Sequence, residues 1–500
     1  MNVFSGKTAL LDFYNPDKNP PLPLVELPSH PFEGDNVRIY AKMLTLLPAG
    51  NVKSLPALNM LMRASEAGEV NDSTERIVEY SSGNTVISLG IVSKIMGGPQ
   101  VGAYISNKTS PQKMELLRFF GLDLTLFGGP AQVEPADVNG GIYAAIQDDR
   151  TSFGAEADLS TRTRKPTYDG PDLKFMRNYR ISTFLLPQWA RQVRTMTGTG
   201  SYLKTVRPDL VNLGVFTAPG DRVPGPRPID LVQTVDLPWQ EVIDAAEHVS
   251  SNDSYRISLE LCRQGLLVGP SSGLSLQGLY QYLEKAKKNG ELESLRADDG
   301  NVYCAFICCD QPYQYISDYF TKLDSSCFPP IYNTELLDKD LYPYGVDWIL
   351  SPSDAFRLLY PAHGLQTPPT SPTELEELRD AQEPLIHAHA MVIDLRSHAD
   401  FACAHIPGSK NIDIQCAGDK NPFKDPSMLA ELWETLRKAL VPQVKDMSHK
   451  SVLLVSYNEE IAYVGCSVLR KEGVKAFSLG GGFEKWKQAG LDAGTPSVRH

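Results

Sequence analysis

Apolar and polar positions along the first 320 residues follow two rhythms that take turns. Short runs such as IVEYSSG (77–83), VGAYI (101–105), LDLTLFGG (122–129), VNLGVFTAP (211–219) and VYCAFICC (302–309) read as strands with their exit turns. Between them, NTVISLGIVSKIMG (84–97), SPQKMELLRFFG (110–121) and SYLKTVRPDL (201–210) carry amphipathic helical spacing. Strand and helix in this alternation predict a parallel sheet with crossover helices. Such sheets place ligands at strand C-termini, where helix N-termini offer free N–H groups. The alternation stops after Phe320. A segment with prolines and aromatics, 321–350, reads as a packed connector, and SPSDAFRLL then starts a helix with Ser351 or Ser353 as N-cap. QTPPTSPTE (366–374) reads as an exposed loop. A second, shorter alternation follows: MVIDLR, KNIDI, the helical LAELWETLRKAL, SVLLVS, another helix, and AFSLGGG. The expected fold class is α/β throughout, with domains at 1–320 and 351–500.

Composition narrows the reading. The 500 residues are 42% hydrophobic and 22% charged, and Gly 38 with Pro 37 stays well under the roughly 25–30% share that marks disorder. A net charge of −12 argues against a nucleic-acid partner. No apolar run approaches the roughly 18–20 residues of a membrane span, and the N-terminus lacks the pattern of a secretory leader. Eight cysteines without framework spacing suggest a reducing, cytoplasmic setting, and the nine histidines form no metal-ligand spacing.

Three pieces of the first domain ask for a chemical explanation. Lys53 follows a Pro-Ala-Gly turn at the start of an apolar helix; alone, such a lysine reads as a solvated side chain. Ser81-Ser82-Gly83-Asn84-Thr85 packs five small polar or flexible residues into one strand-to-helix turn, more than a helix cap uses. Gly269-Pro270-Ser271-Ser272-Gly273 is a second such turn after the apolar GLLVG. Two polar turns ending strands of one domain suggest an anion or cofactor cleft.

The order and spacing of these pieces resemble the cysteine synthase branch of fold-type II pyridoxal-phosphate enzymes. The resemblance runs over about 300 residues, from Pro23-Leu24-Val25-Glu26-Leu27 through Arg38-Ile39-Tyr40-Ala41-Lys42 to Asp310-Gln311-Pro312-Tyr313-Gln314-Tyr315-Ile316-Ser317. It implies a two-lobed parallel-sheet domain holding pyridoxal 5'-phosphate. Val52-Lys53 and Pro56-Ala57-Leu58-Asn59 match the family's lysine segment, which makes Lys53 the Schiff-base lysine; Ser54 and Leu55 stand where the family has Asp-Arg. By the same match Asn84 faces the cofactor's phenolic oxygen, Ser81, Ser82 and Thr85 bind the substrate carboxylate, and Ser271 meets the pyridine nitrogen. A neutral serine there tempers the electron sink and favours β-elimination and replacement over transamination.

One part of the family pattern is missing. Where it has a glycine-rich phosphate loop before a helix resembling Thr197–Lys204, this chain reads Arg191-Gln192-Val193-Arg194-Thr195. Three explanations stay open: phosphate binding through side chains, with Arg194 and Thr195 as the expected contacts beside Arg191; a degenerate relative; or a faulty translation of this stretch.

The C-terminal part resembles a rhodanese. Val392-Ile393-Asp394-Leu395-Arg396, Phe401, His405-Ile406-Pro407-Gly408-Ser409 and Asn411-Ile412 follow that family's opening, and Gly480-Gly481-Gly482-Phe483 with Trp486 its closing turn. His405 reads as closing a turn. The sulfur-carrying cysteine belongs after Val452–Val455, where Ser456 or Tyr457 stands instead. A persulfide needs a thiolate, so the module is expected to lack sulfurtransferase chemistry; Cys466 reads as core and Cys403 lies away from the loop.

The resemblances together imply a pyridoxal-phosphate β-replacement or β-elimination enzyme of sulfur amino-acid metabolism. Its partners would be an O-activated serine or related amino acid, a thiol or sulfide, and a second copy of the chain in a homodimer. No membrane partner is expected. The rival expectation is a non-catalytic binding or regulatory protein in which both domains keep their shape alone.

Overall fold

A computed structural model describes residues 3–128, 145, 153–154, 181–185, 189–232, 238–360, 386–415 and 421–491, with the side chains of 153–154, 181–185, 189–196 and 231 outside the description. The chain divides into two compact units, Met1–Phe328 and Pro329–His500. The division falls inside the expected connector. The Pro/Thr-rich segment 366–374 lies outside the described residues.

The first unit holds two sheets. The larger has six strands in the order β1-β2-β10-β7-β8-β9, where β1 is Leu24–Glu26, β2 Val37–Met43, β7 Ile181–Leu185, β8 Val211–Thr217, β9 Ala245–Val249 and β10 Val302–Cys308. The smaller runs β5-β4-β3-β6, from β3 (Arg76–Tyr80), β4 (Gln100–Ser106), β5 (Asp123–Phe127) and β6 (Phe153–Gly154). Every pairing is parallel except β1 with β2. Strand β2 shows why: Val37, Ile39, Ala41 and Met43 alternate into the core, while Arg38 and Tyr40 stay half-buried. Strand β10 lies between two parallel neighbours and buries Val302, Cys304, Ala305, Phe306 and Cys308.

Six helices of this unit matter for the site. After α1 (Ala9–Tyr14) come α2 (Ser54–Glu66), α3 (Asn84–Ile95), α4 (Pro111–Phe119), α5 (Trp189–Val206), α6 (Ser251–Arg263) and α7 (Pro270–Asn289). Helix α3 packs Val86, Ile87, Leu89 and Val92 on Ile77, Val101, Ala103 and Ile105 of the small sheet. Helix α7 packs Leu274, Leu276, Leu279 and Leu283 on Ile39, Leu213 and Val215 of the large one. Pro270 opens it and Gly290, at φ 73°, closes it. Its neighbour α6 crosses so closely at Gly273 that a Cβ there would lie 2.1 Å from the Ser254 carbonyl oxygen.

The second unit is a five-stranded parallel sheet in the order β11-β15-β14-β12-β13. Its strands are β11 Ile349–Leu350, β12 Ala390–Asp394, β13 Lys410–Asn411, β14 Ser451–Val455 and β15 Lys475–Leu479. In β14, Val452 and Leu454 enter one core and Leu453 and Val455 the other, so both faces are covered. Helices α8 (Pro352–Leu359) and α11 (Gly482–Gln488) bring Leu359 and Trp486 to one face; α9 (Pro426–Leu440) and α10 (Glu459–Lys471) bring Trp433, Leu436 and Val464 to the other. Ser351 is the N-cap of α8, its Oγ accepting the Asp354 N–H at 3.1 Å. Within this unit residues 339–348 pack on α9 and α10: Lys339 pairs with Glu434, Ser467 Oγ donates to Asp340 at 2.6 Å, and Tyr463 OH donates to the Gly345 carbonyl at 2.8 Å.

Among the described residues no helix is long and apolar enough to cross a membrane, and no group of three or more His, Cys, Asp or Glu is placed to hold a metal. The α6–α7 contact yields a prediction. Gly273→Ala should destabilise the first unit by about 1–3 kcal/mol through overpacking. Gly34→Ala, where a Cβ meets nothing within 4 Å, should stay within about 0.5 kcal/mol. Denaturant midpoints of the two variants check this.

Candidate active site

Where β10 ends, three polar segments meet. The Val52 N–H donates to the Cys309 carbonyl at 2.7 Å, the Gly269 N–H donates to the Asp310 carbonyl at 2.8 Å, and Asn51 bridges Asp310. The lysine turn and the start of α7 therefore flank residues 309–310.

Asn51, 3% exposed, organises the lysine turn. Its Oδ1 accepts the Lys53 N–H at 2.8 Å and the Ser88 hydroxyl of α3 at 3.1 Å, and its Nδ2 donates to the Ala49 carbonyl at 2.8 Å. Ser54, fully buried, donates to the Asn51 carbonyl at 2.9 Å and accepts from the Ala49 N–H at 3.3 Å. Lys53 is held just before α2 by this web. The serine that departs from the family pattern is part of the support.

The Ser81–Thr85 turn leads from β3 into α3. Ser81 and Thr85 are buried and Ser82 and Asn84 half-buried, and a Cβ added at Gly83 would meet nothing within 4 Å. Asn84 reaches across to the large sheet. Its Nδ2 donates to Asp310 Oδ2 at 2.6 Å, and its Oδ1 accepts from Gln314 Nε2 at 2.9 Å. Asp310 Oδ2 also accepts the Tyr315 hydroxyl at 2.6 Å and Gln314 Nε2 at 3.3 Å.

Asp310 is 4% exposed, and its second oxygen, Oδ1, is buried with no hydrogen-bond partner among the described residues. That oxygen lies against Gly269, where a Cβ would come within 2.3 Å of it. Burial pushes the Asp310 carboxyl up to about 6, against the opposing pull of Tyr315, Asn84 and the Lys53 charge. Ser271 is 4% exposed on the first turn of α7, beside the Cys309 thiol, which burial and Asp310 push up to about 12 while Lys53 opposes. The Ser272 hydroxyl accepts the Cys309 N–H at 3.2 Å.

Lys53, Asn84 and Ser271, far apart in sequence, thus all bear on the Cys309–Asp310 corner. Arg191, Arg194 and Thr195 fall on helix α5, but their side chains lie outside the described residues. Sequence reasoning did not assign Asn51, Asp310, Gln314 or Tyr315 to the site. The last three stand in the DQPYQY segment that ended the resemblance, which was the available signal.

In the second unit the turn after β14 is closed on itself. Ser456, 1% exposed, donates to the Asn458 carbonyl and accepts the Ala462 N–H at 3.3 Å, while its own carbonyl accepts the Phe483 N–H at 2.9 Å. Tyr457 donates to Asp400 and accepts the Ser397 N–H at 3.1 Å. Glu459 accepts the Gly481 N–H at 2.9 Å. Cys466 is buried in α10 with its thiol pushed upward by burial, and Cys403 is exposed. His405 contacts the Phe401 carbonyl at 2.9 Å through Nδ1. Beneath the turn, Arg396 holds Asp394 through Nε–Oδ1 at 3.0 Å and Nη2–Oδ2 at 2.6 Å, both side chains being almost fully buried.

Comparison with known proteins assigns both units. Residues 17–151 match the pyridoxal-phosphate dependent enzyme family, and residues 371–489 match the rhodanese-like domain. The N-terminal part of the chain thus carries a pyridoxal-phosphate dependent enzyme domain and the C-terminal part a rhodanese-like domain. Among curated proteins the chain is similar to N-(2-amino-2-carboxyethyl)-L-glutamate synthase of Ralstonia nicotianae, 27% identical over 309 residues, covering 58% of this chain and 87% of that protein. It is also similar to cysteine synthase B of Salmonella typhimurium, 25% identical over 284 residues and covering 56% and 86%. A solved hydrogen sulfide-producing enzyme from Fusobacterium nucleatum superposes with a TM-score of 0.49 at 20% identity, covering 64% of this chain and 94% of its own. The particular kind of pyridoxal-phosphate enzyme domain is thus one with cysteine synthases among its relatives.

The Asp394–Arg396 pair sets a prediction for the second unit. Arg396→Ala leaves a buried carboxylate uncompensated and should cost about 3–5 kcal/mol, read as a lower denaturant midpoint of the C-terminal unit.

Proposed function

We propose that the first unit binds pyridoxal phosphate through Lys53 and catalyses β-replacement or β-elimination on an O-activated serine or related small amino acid. The observation that carries this reading is the convergence of the Lys53 charge, the Asn84 amide and the Ser271 hydroxyl on one buried corner. That donor set fits the ring end of the cofactor: an amine for its aldehyde, an amide donor for its phenolic oxygen, a neutral hydroxyl for its ring nitrogen. Bound pyridoxal phosphate supplies an electron sink that loosens a substituent on the β-carbon of an amino acid.

The chain's own residues do the rest. Lys53 Nζ would hold the cofactor's aldehyde carbon and would move the proton at the substrate Cα. The N–H groups at the start of α3, with Ser81, Ser82 and Thr85, orient the substrate carboxylate. Ser271 leaves the ring nitrogen uncharged, which favours loss of the β-substituent. Arg194 and Thr195 are the proposed phosphate contacts.

The relatives' names support the substrate class. Cysteine and N-(2-amino-2-carboxyethyl)-L-glutamate both carry a 2-amino-2-carboxyethyl unit, on sulfur in one and nitrogen in the other. The three-carbon donor is common and the nucleophile varies. For this chain we infer sulfide or another thiol, in cysteine biosynthesis, because the enzyme domain is joined to a rhodanese-like one. A cytoplasmic setting agrees with the described cysteines, all of which are free.

The rhodanese-like unit is proposed to lack sulfurtransferase chemistry, since Ser456 is hydrogen-bonded into its own turn and neither Ser456 nor Tyr457 is a thiol. The expected thiosulfate sulfurtransferase activity is zero, and Ser456→Cys is the informative variant. Turnover that depends on neither Cys403 nor Cys466 would contradict the assignment of the loop.

The main test is titration of the full-length protein with pyridoxal phosphate, followed by an assay with O-acetyl-L-serine or O-phospho-L-serine and sulfide. A visible band and cysteine formation are expected. Lys53→Ala should lose the band and lower turnover by about 10²–10⁴-fold. No band at saturating cofactor would leave the non-catalytic reading.

A further inference from the structure

Asp310 is a buried charge that the lysine, amide and serine roles do not require. Three donors from two lobes of the unit crowd its Oδ2: Asn84 at 2.6 Å, Tyr315 at 2.6 Å and Gln314 at 3.3 Å. Its Oδ1 has no hydrogen-bond partner among the described residues and is packed against a glycine. Leaving a buried carboxylate oxygen unsatisfied is costly, so its retention calls for an explanation.

The hydrogen-bond pattern shows what it can serve. Asn84 receives from Gln314 at Oδ1 and gives to Asp310 from Nδ2. Flipping the amide would set its carbonyl oxygen against a carboxylate and its NH2 against a donor, so the orientation is locked. An amide NH2 has two hydrogens. One goes to Asp310, and the other remains for a ligand acceptor. An acceptor such as a phenolic oxygen needs this edge of the amide and would be repelled by the other.

Resting on the cofactor reading above, we propose that Asp310 is a positioning residue of the lysine site: its carboxylate locks the Asn84 amide with its donor edge available.

Burial raises Cys309 at the end of β10, Tyr315 in the following turn, Tyr255 of α6 and Tyr319 of the short helix Ile316–Lys322, the Asp310 charge adds to each rise, and all four remain neutral. Lys113 of α4 lies 5.8 Å over the Tyr315 ring and pairs with Asp318 at 3.5 Å. The Lys53 charge opposes the upward push that burial gives the Asp310 carboxyl. Because burial lifts that carboxyl to about 6, it is ionised at neutral pH and takes up a proton as pH falls through 6. The charged acceptor for Asn84 is then lost.

The test is pyridoxal-phosphate affinity of the full-length protein, measured from the visible band between pH 5 and 9, for wild type, Asp310→Asn and Tyr315→Phe. Comparing the variants with wild type removes titrations of the cofactor itself. The expected result is equal affinity of wild type and Asp310→Asn near pH 5. Above pH 7 the wild type should bind roughly tenfold tighter, the size of a lost charge-assisted hydrogen bond, with a midpoint near 6. Tyr315→Phe removes a donor from Oδ2 and should move that midpoint upward. An Asp310→Asn variant with the wild-type profile overturns the inference and leaves the cofactor reading intact. Should Asp310→Asn not fold, an unmoved midpoint in Tyr315→Phe overturns it equally. A wild type without a band removes the cofactor reading and this inference with it.

Discussion

A carboxylate almost closed off from water must be surrounded by donors, and the first unit bends three distant segments around Asp310 to provide them. The small sheet sends Asn84 on the first turn of α3; the chain after β10 contributes Gln314 and Tyr315; the lysine turn brings the compensating charge. Gly269 stands where only a hydrogen leaves room for the carboxylate. Asn51 then ties the lysine turn back to α3 through Ser88. The cleft is built by satisfying, incompletely, one buried acid.

The second unit treats its buried acid differently. Asp394 receives the Arg396 backbone N–H at 3.0 Å as well as three bonds from its guanidinium, which also donates to the Ala404 carbonyl and lies 3.5 Å over the Phe483 ring. Both carboxylate oxygens are hydrogen-bonded. The turn above shows the same completeness, because Ser456 and Tyr457 each both donate and accept within the unit. A buried acid with one open oxygen in a polar corner marks a candidate functional site; the first unit has one in Asp310, and the second pairs its buried acid with an arginine instead.

Periodicity made much of this visible in the sequence. The succession from Arg76 to Phe127 appears as three parallel strands joined by α3 and α4, as their alternation implied, and the second alternation forms the sheet of the C-terminal unit. Local spacing left Ser351 and Ser353 open as caps, and only the geometry of the Asp354 N–H distinguishes them. The polar corner was harder to read because its bonds span the chain. Asn84 and Asp310 are separated by 226 residues, and Asn84 and Gln314 by 230. Nothing local says that Asn51 receives a hydroxyl from Ser88. A residue's partner across a cleft follows from the closing of two sheets, which no spacing encodes. Arg194 and Thr195 belong to a helix, but their part in phosphate binding rests on the resemblance.

Borohydride reduction of the full-length protein after incubation with pyridoxal phosphate, followed by peptide mapping, reads which lysine the cofactor joins. The expected result is a single reduced cofactor adduct on Lys53. An adduct on another lysine, or none with cofactor in excess, contradicts the placement of the active site at the Asp310 corner.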